Sequence, residues 1–237
     1  MAVLAVPACL TRGQLVARHG PKLYSQFDEE LVIRDYFQDK REGFFVDVGA
    51  SDYRLDSTTY YLEERLGWRG IAVDAIPAYA DGYRKNRPGT KFFSFFVSDT
   101  SDRLADFYLI EQNKRMSSSS EEWARTGGAY EKIKVPTITL DKLLEREGVV
   151  RIDLLSMDVE NAEPAALAGF DIDKYRPALV CIELHGQVKA RIEAYFAQHG
   201  YGRLNKYARV DRVNGYFVPR VGRQDGRSQV AKIRQSP

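Results

Sequence analysis

The sequence predicts an α/β fold in which a mostly parallel sheet is covered by helices on both faces. Three observations favour this class. Short apolar runs alternate with segments of helical spacing, five of these runs end at a carboxylate, and the last two runs are separated only by a polar turn. The chain of 237 residues, 44% of them hydrophobic, is long enough for one sizeable core. We therefore expect one α/β domain that closes on an antiparallel hairpin.

The individual elements follow from local patterns along the chain. Apolar runs predict strands at residues 44–48, 71–73, 91–97, 152–159 and 178–184. Helices are predicted at 56–66, 77–86, 139–147, 162–168 and 187–199, and their ends are marked by Gly67, Pro77, Thr139 and Gly200. Two shorter strands, 103–110 and 133–138, flank a polar insert. The closing hairpin is predicted from residues 201–207 and 213–218.

We divide the chain into an N-terminal extension at residues 1–23, one domain at 24–219 and a basic, disordered tail at 220–237. The polar insert of the domain, about residues 112–130, contains a run of four serines. It is interpreted either as a flexible loop or as a lid that closes over a site and excludes water. Trp123, Tyr130 and Tyr108 would then contact apolar parts of a substrate.

Charge and composition exclude several classes of protein. The formal net charge is only +2, so the sequence offers no case for a nucleic-acid binder. No apolar stretch reaches the roughly 20 residues needed to span a bilayer, and no secretory signal is recognisable, so we expect a cytoplasmic protein. The two cysteines support neither a disulfide framework nor a thiolate metal site.

Polar side chains stand where the predicted parallel strands end, which is where ligands bind in such sheets. They are Asp47 and Gly49, Asp74, Ser98 and Asp99, Asp158 and Glu160, and Glu183 and His185. The loop at Gly49 lacks the further glycines of a dinucleotide fingerprint, and its acidic neighbours would repel a pyrophosphate. A carboxylate ending the second strand suits the hydroxyls of a ribose. A ribose without a phosphate, joined to a cationic amino-acid-like group, describes S-adenosylmethionine.

An ordered set of motifs over about residues 24–219 resembles one known family. The motifs are YSQFDEELVIRDYF, VDVGASD, GWRGIAVDAIP, VPTITLDKLL, IDLLSMDVENAE and YRPALVCIELH. Together they resemble the FkbM-type S-adenosylmethionine-dependent methyltransferases. The resemblance implies a Rossmann-like class I methyltransferase fold with a seven-stranded, mostly parallel sheet. It also implies methyl transfer, usually to an oxygen of a small molecule, sugar or lipid-linked acceptor.

The chain departs from the family pattern at three places. The family often has Asn where this chain has Ser51-Asp52, and Glu-Pro-Asn where it has Asp74-Ala75-Ile76. It prefers Gly at the position of Asn161. These departures affect the substrate class more than the cofactor.

Two groups of site residues follow from the strand ends and the resemblance. The first group is expected to bind the cofactor, with Ser98-Asp99 placed beside the adenine by the resemblance: Asp47, Gly49, Ala50, Ser51, Asp74, Ala75, Ser98, Asp99 and Asp158. The second group is catalytic, because an alcohol must lose its proton before it attacks, and comprises Asp158, His185, Glu160 and Glu183. These four side chains would also suit a divalent cation, an alternative that we do not favour because the sequence contains no information on ligand geometry.

We expect an S-adenosylmethionine-dependent O-methyltransferase acting on a small-molecule, sugar, lipid-linked or natural-product hydroxyl. One alternative is a nicotinamide-dependent oxidoreductase on a similar sheet, which the single glycine at the first loop disfavours. The other is a scaffold protein that kept the fold and cofactor binding but lost the reaction.

Overall fold

The computed structural model describes residues 9–220 of the chain. Its helices are α1 (Arg12–His19), α2 (Glu29–Phe37), α3 (Tyr60–Leu66), α4 (Ala80–Asn86), α5 (Glu121–Gly127), α6 (Leu140–Arg146), α7 (Glu163–Ala168), α8 (Ile172–Tyr175) and α9 (Lys189–Gln198). Its strands are β1 (Phe44–Val48), β2 (Arg69–Asp74), β3 (Thr90–Ser94), β4 (Phe96–Val97), β5 (Leu104–Leu109), β6 (Glu131–Ile138), β7 (Leu154–Met157), β8 (Leu179–Glu183), β9 (Tyr201–Arg203) and β10 (Asn214–Pro219).

The main sheet has seven strands in the order β3-β2-β1-β7-β8-β10-β9. The first five strands of this order run parallel, whereas β10 is antiparallel to both β8 and β9. The predicted seven-stranded sheet with an antiparallel C-terminal hairpin is therefore confirmed. Strand order reverses between β1 and β7, and this switch point is where an open α/β sheet forms a crevice at the carboxyl ends of its strands.

Apolar side chains cover both faces of the sheet. One layer contains Val46 and Leu155 with residues of α6, α7 and α9, and the other contains Phe45 and Leu154 with residues of α2 and α3. Adjacent residues of β1 thus pack on opposite faces, as the two-residue period of a strand requires. This explains why the predicted strands are continuous apolar runs.

Helix α1 lies within the predicted N-terminal extension and packs against α2. Thr11 caps α1 by accepting a hydrogen bond from the backbone N–H of Gln14, and Leu15 is fully buried in the same layer as Leu31 and Phe45. The predicted basic tail lies outside the described residues except for Arg220. Within residues 9–220, no helix is both long and apolar enough to cross a membrane.

The third predicted strand, 91–97, is two strands in the structure. The backbone N–H of Phe95 makes the last bond to β2, donating to the carbonyl of Asp74 at 3.0 Å. Phe96 then pairs with Thr137 in a separate small sheet of order β4-β6-β5. Phe96 is buried there against Phe107, and this packing favours the change of direction.

The helix predicted at 56–66 begins only at Tyr60. Asp52 accepts hydrogen bonds from the backbone N–H groups of Arg54 and Leu55 at 2.9 and 2.8 Å, which stabilises a turn instead. Asp56 has a φ of 58°, in the left-handed region that a helix cannot include. The polar residues after β1 therefore form a loop at the rim of the crevice.

Candidate active site

A cavity of about 280 Å³ opens at the carboxyl ends of β1, β2 and β7, where the strand order reverses. Carboxylates and apolar residues share its wall. The predicted site residues on the wall are Asp47, Gly49, Ala50, Ser51, Asp74, Ala75, Asp158, Glu160 and Glu183. The structure thus brings most of the predicted site residues to one place.

The loop after β1 is held tightly against the neighbouring strands. Gly49 has a φ of 81°, and a Cβ atom added there would lie 1.7 Å from the carbonyl oxygen of Asp158. The backbone N–H groups of Gly49 and Ala50 both donate to the carbonyl of Val73, at 2.9 and 3.2 Å. Any side chain at position 49 would collide with the backbone that follows β7, so glycine is required there. Because both N–H groups already donate to Val73, neither is free to bind an anion.

Asp74 ends β2 and organises the same loop. Its Oδ2 accepts a hydrogen bond from the backbone N–H of Ser51 at 2.9 Å, and its Oδ1 accepts one from that of Ile76 at 2.8 Å. Burial raises the pKa of Asp74 to about 6, although these two hydrogen bonds act in the opposite direction. Each carboxylate oxygen keeps a second lone pair, so both remain able to accept a hydroxyl of a ligand.

Asp47 lies at the floor of the cavity and is only 4% exposed. Its Oδ2 accepts a hydrogen bond from the hydroxyl of Thr59 at 2.8 Å. Burial raises its pKa to about 6, against the opposing effects of Thr59 and of the Arg87 guanidinium. Asp47 therefore combines a structural bond to the residue before α3 with a position on the cavity wall.

Ser98 and Asp99 do not reach the cavity. The Ser98 hydroxyl donates to Asp99 Oδ1 at 3.1 Å, and the Ser98 carbonyl packs against Gly169, where an added Cβ would lie 2.3 Å away. The departure of β4 into the small sheet carries both residues past the crevice. This part of the wall is lined instead by Phe95, Phe96 and Val97. In the sequence, the apolar run before Ser98 is the signal that indicates them.

The four residues predicted to be catalytic lie together at the ends of β7 and β8. Asp158, Glu160 and Glu183 line the cavity, whereas His185 is not part of the wall and lies beside it, next to Glu183. His185 Nε2 is 2.7 Å from Glu183 Oε2 and 3.7 Å from Glu160 Oε2. Asp158, Glu183 and Glu163 form an adjoining group. Glu163 is completely buried, and its Oε1 accepts a hydrogen bond from the backbone N–H of Val159 at 3.2 Å. We call the five residues Asp158, Glu160, Glu163, Glu183 and His185 the rim cluster.

The carboxylates of the rim cluster resist ionisation because they are buried close to one another. Burial, the Asp158 carboxylate and the Glu163 carboxylate raise the pKa of Glu160 to about 8. Burial is also the main cause that raises the pKa of Glu163 to about 7 and the pKa values of Asp158 and Glu183. Such a group favours protons, cations or positively charged ligands.

The backbone beside the cluster is unusual. Glu160 and Asn161 have φ values of 52° and 74°, in the left-handed region. Asn tolerates this conformation better than most residues, so Asn161 replaces the Gly of the family motif at a modest cost. Ser51, where the family often has Asn, also has a positive φ, of 51°.

The polar insert covers the cavity. Its turn at Lys114–Met116 lines the wall, and Arg115 pairs with Asp56 on the loop after β1. The Ser118 hydroxyl donates to the carbonyl of Glu160 at 2.9 Å, and the Trp123 ring lies 4.8 Å from that of His185. These contacts place the insert against the cavity, and its movement as a lid stays a prediction.

Tyr108 and Tyr130 have a different place from the one predicted for them. Their rings pack edge to face at 5.4 Å, and the Tyr130 hydroxyl donates to Glu121 at 2.6 Å. Both side chains therefore belong to the small core of the insert, with Ile110 and Ala124, and neither is part of the cavity wall described for residues 9–220.

Glu29, at the start of α2, is a wall residue that sequence reasoning missed. It is 6% exposed, its Oε1 accepts a hydrogen bond from the Asn214 amide at 3.2 Å, and its Oε2 accepts one from the backbone N–H of Phe27 at 2.8 Å. Burial raises its pKa to about 7. In the sequence, its motif YSQFDEELVIRDYF carries only the family resemblance, and the acidic run Asp28-Glu29-Glu30 is the available signal.

The model of the methyltransferase FkbM domain matches residues 47–202, more than half of the chain. This match confirms the predicted family and, with it, S-adenosylmethionine as the cofactor. Among curated proteins, none matches the chain.

Three solved structures illustrate what the chain is similar to in shape. A TehB-like SAM-dependent methyltransferase from Corynebacterium glutamicum is 14% identical, with a TM-score of 0.46 and coverage of 88% of this chain and 94% of that one. The precorrin-6y C5,15-methyltransferase from Geobacter metallireducens is 10% identical, with a TM-score of 0.43 and coverage of 74% and 71%. A SAM-dependent methyltransferase from Geobacter sulfurreducens in complex with S-adenosyl-L-homocysteine is 7% identical, with a TM-score of 0.41 and coverage of 86% and 79%.

Proposed function

Because the chain belongs to the methyltransferase FkbM domain family, we propose that it transfers a methyl group from S-adenosylmethionine to a hydroxyl oxygen of its acceptor. The proposed acceptor is a small-molecule, sugar, lipid-linked or natural-product alcohol. The observation that carries this proposal is the pairing of His185 with Glu183 at 2.7 Å beside Asp158, at the rim of the cavity. An alcohol needs such a base, whereas a sulfur nucleophile needs one much less.

The cavity wall fits the cofactor in charge and in shape. S-adenosylmethionine supplies a methyl group on a positively charged sulfur. Asp74 is proposed to accept hydrogen bonds from the ribose hydroxyls, because its carboxylate faces the cavity at the end of β2. The backbone from Gly49 to Ser51, with Ala75, borders the same region, and Phe95 and Phe96 offer an apolar wall for the adenine.

The cationic part of the cofactor is proposed to lie toward Asp47 and Asp158. Both carboxylates are on the cavity wall, and a positive ligand would favour their ionised forms. Ser98 and Asp99 are left out of the proposed cofactor site because they lie outside the cavity.

Two side chains of the rim cluster, Asp158 and His185, are candidate bases that could remove the proton of the acceptor hydroxyl. In the reaction, a bond forms between the acceptor oxygen and the methyl carbon while the carbon–sulfur bond breaks. The hydroxyl proton passes to one of the two bases, and the sulfonium becomes a neutral thioether. Glu160 and Glu183 would support the base by their charge and by contact with His185.

The nicotinamide alternative is disfavoured by the first loop. A pyrophosphate needs free backbone N–H groups at this turn. Those of Gly49 and Ala50 already donate to Val73, and that of Ser51 donates to Asp74. The nearby carboxylates would also repel a phosphate.

Calorimetric titration with S-adenosylmethionine and, separately, with NAD tests the cofactor site. We expect binding of S-adenosylmethionine only. Asp74→Asn should weaken it about 10- to 100-fold, the effect of losing one or two hydrogen bonds to a charged group. Asp99→Asn is the matched control, because Asp99 is exposed and lies off the cavity. Heat from NAD alone, or equal losses in both variants, would contradict the proposal.

Methyl-labelled cofactor with an extract of the source organism tests the reaction. We expect label in a product whose methyl group is bound to oxygen, as determined by mass spectrometry and NMR. His185→Asn should lose methyl transfer while cofactor binding is retained, if His185 is the base. Asp158→Asn should lose transfer and also weaken cofactor binding, because Asp158 belongs to the proposed cofactor site as well. Label on nitrogen or carbon would refute O-methylation, and cofactor binding without any labelled product would favour the scaffold alternative.

A further inference from the structure

Three side chains of the rim cluster present ligand atoms to one small volume. Oε2 of Glu160, Oε2 of Glu183 and Nε2 of His185 come from the loop after β7, the end of β8 and the loop after β8. One ligand atom from each residue lies within 4.8 Å of the others. Two carboxylate oxygens and one imidazole nitrogen therefore converge from two segments of the chain, which follow β7 and end β8.

None of these three atoms makes a well-directed hydrogen bond within the described residues, although all three are buried. The nearest polar neighbours are Trp123 beside Glu160 and Asp158 beside Glu183. His185 Nε2 and Glu183 Oε2 lie 2.7 Å apart as a charge pair. Glu183 is 7% exposed, so water cannot readily satisfy its orphan oxygen. A buried polar atom without a partner costs about 1–3 kcal/mol, and three at one point indicate a missing ligand.

The surrounding charge indicates that this ligand is a cation. Asp158 and Glu163 also have buried oxygens without a hydrogen-bond partner, Oδ1 and Oε2, and together with Glu183 they form a second convergent set. Four carboxylates around one imidazole cannot bind an anion. The imidazole nitrogen and carboxylate oxygens together are a donor set typical of divalent metal ions.

We propose that Glu160, Glu183 and His185 bind a divalent cation of the Mg²⁺ or Mn²⁺ class at the rim of the cavity. The use of this cation rests on the proposed function: it would hold the acceptor hydroxyl and lower the pKa of that hydroxyl. His185 is then a metal ligand, and Asp158 receives the acceptor's proton. The acceptor would then be an alcohol whose oxygen can reach both the cation and the methyl group of S-adenosylmethionine.

The lid lies over this site. Trp123 packs on the ring of His185 with its centroid 4.8 Å away, and Ser118 holds the backbone of Glu160 through a 2.9 Å hydrogen bond. Two of the three proposed ligands are therefore positioned by the insert. Access of the acceptor to the cation would require movement of the same segment.

Mn²⁺ alone, titrated into the full chain after treatment with EDTA, tests the site through the loss of the electron paramagnetic resonance signal of free Mn²⁺. We expect one saturable site. Glu160→Gln and His185→Asn should each weaken binding at least about tenfold, since even residues that only orient metal ligands have effects of this size. Matched controls are Glu145→Gln and His199→Asn, which change surface ion pairs with Lys174 and Asp173. Circular dichroism melting verifies that each variant is folded.

The absence of saturable binding in the unmodified chain would overturn the cation site. So would unchanged affinity in Glu160→Gln and His185→Asn, or equal losses in the two controls. Neither cofactor nor acceptor is present in this titration, so its failure leaves O-methylation standing with Asp158 and His185 as candidate bases. Conversely, failure of the S-adenosylmethionine titration would refute the proposed function while a Mn²⁺ isotherm remained valid.

Discussion

The substitution Gly49→Ala tests the packing that holds the active-site loop. Gly49 has a φ of 81°, and an added Cβ would lie 1.7 Å from the carbonyl oxygen of Asp158 and 3.2 Å from Cγ1 of Val159. Because the first of these neighbours is backbone, no rotation of a side chain can relieve the overlap. The ends of β1 and β7 must separate, and the 2.9 Å hydrogen bond from the Asp158 N–H to the Val48 carbonyl would be strained.

The magnitude follows from three contributions to the free energy of unfolding. A side chain in the left-handed region costs about 1–2 kcal/mol. Overpacking costs about 1–3 kcal/mol, and the weakened hydrogen bond about 1 kcal/mol. The sum is about 3–6 kcal/mol, a large part of the roughly 5–15 kcal/mol that stabilises a typical domain.

Gly67→Ala is the matched control, because Gly67 has a φ of 69° and nothing lies within 4 Å of its added Cβ. Its free energy of unfolding should fall only by the conformational cost of about 1–2 kcal/mol. Urea unfolding followed by circular dichroism should therefore find Gly49→Ala less stable than Gly67→Ala by about 2–4 kcal/mol. Equal stability of the two variants would refute the close contact between the loop and β7.

Three further predictions concern the cavity wall, the core and the lid. The Glu29 carboxyl has a pKa raised by burial from 4.5 to about 7, so the stability that it provides below pH 4.5 is lost as the pH rises through 7. Between pH 4.5 and 8, the free energy of unfolding of the unmodified chain should therefore fall by about 3 kcal/mol more than that of Glu29→Gln, as measured by urea unfolding. Equal decreases in the two chains would contradict this. Arg87→Ala should cost about 3–5 kcal/mol in the same assay, because the buried guanidinium is paired with Glu63; a loss below about 1 kcal/mol would disprove the importance of the pair. Arg115→Ala should leave global stability within about 0.5 kcal/mol but speed proteolytic cleavage within the insert, because its pairing with Asp56 ties the insert to the body; unchanged cleavage would argue against that tie.

Local sequence patterns were enough to predict the class of sheet and the edge at which the site lies. Period and apolar runs are local signals, and a carboxylate that follows such a run must lie at the end of a strand. Parallel strands bring those ends to one edge, so Asp47, Asp74, Asp158 and Glu183 were found together without knowledge of the tertiary structure. The acidic strand ends and the single glycine of the first loop already indicated S-adenosylmethionine, and the family resemblance implies the same cofactor.

Which strand-end residues face the cavity depends on how the chain packs in three dimensions. The path of the chain after a strand depends on distant contacts, and burial of Phe96 against Phe107 carries Ser98 and Asp99 away from the site. For the same reason, Glu29 reaches the wall from α2, far away in the sequence. Whether converging carboxylates form a set of metal ligands is a matter of distances of a few ångströms and of missing hydrogen bonds. A linear pattern has no information about either, because both arise when separate loops pack against one another.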